Sequence, residues 1–187
     1  MTAFGRLRAA LPPNARQAKG DAMKDARGLD VTTDDATAVA AADDFAARLL
    51  RLDQGVEAIL DVAKCWPDTP IVQLYAATFW LYGQTDGALE AAAVHLRACD
   101  ALAMNTRERA LHRALALWHG NANLRAVEAM EAITTEWPSD LLTANDLFRQ
   151  TYLRSLQAAG RHTEAAAYFD AITAGKSRTP LDRALAN

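Results

Sequence analysis

The sequence predicts an all-α chain, folded as a stack of about eight helices in antiparallel pairs. Three observations carry that prediction. Ala and Leu number 42 and 23 against 11 Val plus Ile, and the first two favour helices while β-branched residues favour strands. Apolar residues recur at spacings of three and four through most of the chain. Glycine and proline punctuate it almost regularly: Gly83, Gly120 and Gly160 lie 37 and 40 residues apart, and Trp66-Pro67 and Trp137-Pro138 lie 71 apart.

Residues 1–33 read as a flexible leader, because Pro12-Pro13, Gly20 and Gly28 interrupt a stretch of low apolar content. A first helix is expected from the capping cluster Thr32-Thr33-Asp34, burying Val39, Ala42, Phe45, Ala46, Leu49 and Leu50 and ending around Asp53-Gln54-Gly55. A second runs from Gly55 to Cys65, stopped by Pro67, which disfavours helical geometry at Trp66. Thr69-Pro70 then gives a cap followed by proline at the first helical position, opening a third helix that carries Ile71, Leu74, Tyr75, Thr78, Phe79 and Tyr82 to Gly83. The fourth starts at Thr85 or Asp86 and continues to about Ala103.

Asn105 to Leu142 holds the fifth and sixth helices, joined at Gly120-Asn121 and stopped at Trp137-Pro138. Asn105 three residues before Glu108 forms a capping-box pattern. A seventh helix follows from Ser139-Asp140 to Gly160 and an eighth from His162 to Ala174, so the helical domain spans 34–174 and 175–187 is a tail or an incomplete helix. Helix–turn–helix units with a small residue in the turn and proline after the second helix match the tetratricopeptide period, though these units are longer than its 34 residues. The fold expected is therefore a right-handed tetratricopeptide-like array of about four antiparallel hairpins.

Net charge is −3 with arginines interleaved among acids, which offers no basic face for nucleic acid. No apolar run approaches the length that crosses a bilayer, and no secretory leader is visible, so a cytoplasmic location and two reduced thiols, Cys65 and Cys99, are expected. Glycines form no phosphate-cradling pattern and no cofactor or metal is expected.

Two sets of residues are candidates for function. Glu108, His112 and His119 fall within a dozen residues and would serve an enzyme as an acid–base or metal site. Capping and helix packing account for the same residues without chemistry. The other set is the concave face of the first helices: Gln73, Trp80, His112, Arg113, Asn145 and Arg149, a surface for a protein or peptide. The apolar face of the eighth helix, with Tyr168, Phe169 and Ile172, leads to the expectation of a homodimer through the C-terminal helices.

T-R-E-R-A-L-H-R-A at Thr106–Ala114, W-H-G-N after it, then A-V-E-A-M-E-A-I and W-P-S-D-L-L, resemble the tetratricopeptide repeat protein 38 family and its bacterial relatives. D-A-R-G-L-D-V-T-T-D-D-A at Asp25–Ala36 is similar to that family's opening. Trp137 stands where the family commonly has His, and Met130 where it often has Trp. The likeness covers roughly residues 25–160. The longer members carry an Asp-x-Trp and a His-rich helix absent here, so the resemblance implies a natural short relative, a truncation or a frame-altered product. The resemblance implies a helical-repeat fold and brings no established activity. The leading expectation is a non-enzymatic interaction module; the alternative is an enzyme, or part of one, built on Glu108, His112 and His119.

Overall fold

The computed structural model describes residues 23–83, 85–140, 160–163 and 165–167. Among these, six helices follow a small hairpin of two strands. The strands are β1 (Met23–Lys24) and β2 (Asp30–Val31), antiparallel, with Met23 opposite Val31 and Lys24 opposite Asp30. The helices are α1 (Ala36–Arg51), α2 (Ile59–Cys65, entered through a 3-10 turn at Val56–Ala58), α3 (Pro70–Gly83), α4 (Ala88–Asp100), α5 (Thr106–His119) and α6 (Asn123–Glu136). The chain is mostly helical, as its composition predicts. The expected seventh and eighth helices and the tail lie outside the described residues, apart from helical backbone at 162–163 and 165–167.

Local signals explain most boundaries. Asp35, one residue beyond the expected cluster, caps α1 by accepting from the amides of Thr37 and Ala38. Leu52, at φ 55, ends it in the left-handed conformation. The box at the start of α5 is complete: the Asn105 side chain accepts from the Glu108 amide, and the Glu108 carboxylate accepts from the Asn105 amide. At α4 neither Thr85 nor Asp86 supplies the cap. Gly87, at φ 76, takes that position with no side-chain bond.

Adjacent helices run in opposite directions. Cys99 at the end of α4 reaches the carbonyl of Pro70 at the start of α3, while His95 meets Gln73 one turn further along. His112 and His119 of α5 reach the carbonyls of Leu96 and Leu89 of α4 in the same reversed order. First helices also meet one another: Phe45 of α1 stacks on Tyr75 of α3 at 5.2 Å, and Tyr82 of α3 meets Trp118 of α5 edge-on at 5.3 Å. Helix α3 touches α1, α2, α4 and α5 and is buried all round from Pro70 to Thr78. It carries no polar stripe because it has no solvent side for one to face.

The leader expected over residues 1–33 is corrected over residues 23–33, the part that lies within the described residues. Residues 23–35 form a strap across α1 and α5, with Leu29 and Val31 in the core. Asp25 shapes its turn: the carboxylate accepts from the amides of Arg27 and Leu29, and Gly28 at φ 81 closes the loop onto the Asp25 carbonyl.

Candidate functional site

The densest polar constellation lies where the strap meets the first turn of α5. Glu108 is fully buried at 0% exposure. One carboxylate oxygen accepts from the Thr32 amide at 2.9 Å and the other from the Asn105 amide at 3.0 Å, which satisfies two backbone donors and the acid together. The Asn105 amide is shared with the Thr32 hydroxyl at 3.1 Å, and the Asn105 side chain donates to the Asp30 carbonyl at 3.0 Å.

Arg107 extends the constellation. Its guanidinium, 3% exposed, donates to the Asp30 carbonyl at 3.1 Å and to the Asp140 carboxylate at 2.9 Å, itself 2% exposed. On the α1 side, Arg27 pairs with Asp25 at 3.0 Å and with Asp43 at 3.3 Å, and Asp43 also accepts from the Ala26 amide. Tyr75 of α3 is buried among these charges.

Electrostatics follow from that crowding. Burial opposes the Arg107 charge, but Tyr75, Asp140 and Asp25 outweigh it and hold the guanidinium above its ordinary value. Arg27 is raised for the same kinds of reason: burial opposes it, and Tyr75, Asp25 and Asp43 prevail. Burial pushes the Asp43 carboxyl up, against the pull of the Ala26 amide and Arg27. Burial also pushes the Tyr75 phenol up to about 12. Apart from Arg27 Nε and Arg107 Nε, which are buried without a hydrogen-bond partner, these groups pair with one another and with backbone, so the arrangement holds the strap in place.

The structure distributes the acid–base candidates among separate contacts. Glu108 is spent on the strap and the cap, while His112 and His119 each turn one ring nitrogen to a carbonyl of α4, at 3.1 Å in both cases. His112 also lies 3.5 Å from the exposed Asp100 carboxylate. Among the described residues no group of three or more His, Cys, Asp or Glu side chains could hold a metal ion. Cys65 and Cys99 are both free; burial, with Asp100 and Glu108 nearby, pushes the Cys99 thiol up to about 12, which keeps it protonated and unreactive at neutral pH.

Of the residues expected on a binding face, Gln73 is corrected. It is buried, and its amide nitrogen donates to the carbonyls of Ala63 at 2.9 Å and Trp66 at 3.5 Å. The reason is visible in the sequence. Ala63 would normally receive the amide four residues on, but that residue is Pro67, which has none. Gln73 supplies the missing donor, and its carbonyl oxygen then accepts from His95 Nδ1 at 2.8 Å. Trp80 is half-buried edge-on to Phe79, and His112 is half-buried against α4. Arg113 is exposed and lines an open groove of about 330 Å³ between α5 and α6. Asn145 and Arg149 lie outside the described residues.

The groove has an apolar floor of Ala110, Leu117, Ala129 and Ile133, with Arg113, Arg125, Glu128 and Glu136 on its rims. The charged strap contacts, by contrast, escaped the sequence reading. Asp25 with Gly28 three residues later is a turn signature that pointed to the hairpin, while nothing local announces the partner of Thr32 some 76 residues away.

Comparison with known proteins finds no matching family model, no matching curated protein and no matching solved structure. Among the described residues no helix is long and apolar enough to cross a membrane.

Proposed function

We propose that the chain is a non-enzymatic, tetratricopeptide-like interaction module that takes a protein or peptide segment along its helical faces. The observation that carries this reading is the contrast between the groove and the polar constellation. Glu108, His112 and His119 are engaged in structural hydrogen bonds, whereas the α5/α6 groove keeps an apolar floor and four charged rim residues open to a ligand. The alternating order of α1 to α6 and the contacts of α3 with α1 and with α5 support the reading of stacked hairpins.

Kinship with the tetratricopeptide repeat protein 38 family is what this reading favours. Its support is that the two family-like segments, Asp25–Ala36 and Thr106–Ala114, touch each other through Thr32, Asn105 and Glu108. A cytoplasmic location and self-association through the C-terminal helices belong to the same proposal. It involves no nucleic acid, membrane or cofactor.

The test is affinity capture with the full chain as bait in extract of its native cell at low salt, beside the variants Arg113→Glu and Leu117→Asp. A discrete partner retained by the native chain and lost by both folded variants supports the module. No retained partner, or equal retention by the variants, contradicts it.

A further inference from the structure

We infer that Arg107 couples the strap to the turn that follows α6, so that release of either loosens the other. One guanidinium holds both. It donates to the carbonyl of Asp30 in the strap at 3.1 Å and to the carboxylate of Asp140 at 2.9 Å, where the Asp140 amide closes a turn on the Trp137 carbonyl at 2.9 Å. These groups lie 77 and 33 residues from Arg107 in sequence, and the arginine and Asp140 are almost wholly excluded from water.

In a simple stack each hairpin touches only its neighbours. Here the strap, which leads into the first hairpin, binds the first turn of the third. Lifting the strap takes the Asp30 carbonyl from a buried guanidinium, and the weakened hold on that side chain falls on Asp140. Removing Asp140 leaves a buried cation whose remaining partner in this pair is a strap carbonyl, and water must enter along the strap to solvate it. The coupling is reciprocal, because a free energy that links two sites acts equally in both directions.

The test uses the full chain and hydrogen exchange at two places, the Thr32 amide and the Asp140 amide. Asp140→Asn, which preserves shape, is expected to speed exchange at Thr32 about fivefold or more, and Thr32→Val to speed exchange at Asp140 by a similar factor. Arg107→Lys, whose ammonium lacks the fork that serves two acceptors, speeds both and removes the non-additivity between Asp140→Asn and Thr32→Val. Should Asp140→Asn not accumulate as folded protein, Arg107→Lys with the same two readouts decides. Arg48→Ala, which breaks an exposed pair with Asp44 elsewhere on α1, changes neither amide. Exchange at Thr32 that is unchanged in Asp140→Asn, or strictly additive effects in the double variant, overturns the coupling.

Discussion

Helix α3 and the first turn of α5 are both buried, yet they are buried by opposite means. In α3, Ile71, Val72, Leu74, Ala76 and Ala77 are sealed by four neighbouring helices and need no partner in particular. At the start of α5, Arg107 and Glu108 are equally hidden, but each polar atom that bonds does so to a specific backbone group or carboxylate. Apolar burial tolerates exchange of one aliphatic for another, whereas the polar seam fixes which segment lies on which. The seam is also where non-adjacent parts of the array meet. Adhesion resides in α3, and registry resides in the strap and α5.

The largest expected effects compare the two directly. Arg107→Ala removes a buried cation from both the Asp30 carbonyl and the Asp140 carboxylate and is expected to cost about 3 to 5 kcal/mol of stability, with strap exchange rising before the helices open. Leu74→Ala leaves a cavity in α3 at a cost of about 2 to 5 kcal/mol, with strap and helices losing protection together. Denaturant titration gives the totals and residue-resolved exchange gives the order. Identical exchange patterns for the two variants would erase the distinction.

Alkaline titration comes next. The Tyr75 phenol is raised from 10.0 to about 12 in the folded chain, so the native state holds its proton more tightly than the unfolded one. That stabilisation is fully present below pH 10 and is lost as pH rises through about 12, a loss of about 2 to 3 kcal/mol over the window from this group. Tyr75→Phe, which keeps the ring against Phe45, should make unfolding free energy less steep between those values, as read by denaturation at each pH. An unchanged slope would mean the phenol reaches water in the folded state.

The smallest effect concerns His95, which is half-buried and lowered from 6.5 by burial. The folded chain prefers the neutral ring, whose Nδ1–H serves Gln73. Stability from this group is present above pH 6.5 and is lost progressively as pH falls toward the depressed folded value. His95→Gln should remove that acid limb and leave the alkaline one intact. An acid limb that persists unaltered places the responsible group elsewhere.

How far the sequence could be read follows the same division. The apolar spacing of α1, the Thr69-Pro70 start of α3 and the Asn105–Glu108 box of α5 are local patterns, and each names an element correctly. Gln73, expected on the concave face, instead turns into the interior. The missing amide of Pro67 is the clue that draws it inward. The strap is harder to read because Leu29 and Val31 are its only buried apolar residues, and its polar anchors on α5 lie more than 70 residues away. Spacing rules carry information over one or two helical turns and none over that separation. The open groove beside Arg113 was legible only in part: the arginine was expected on a face, but the α6 rim depends on how two helices pack.

Native-state hydrogen exchange under mild denaturant tests the central claim, that residues 23–35 are an integral part of the fold through Glu108 and Arg107. The account predicts that the Thr32 and Leu29 amides of the native chain open only with the amides of Leu115 in α5, at the same free energy and with the same denaturant dependence. Strap amides that exchange at far lower free energy, with no denaturant dependence while α5 remains protected, would contradict it.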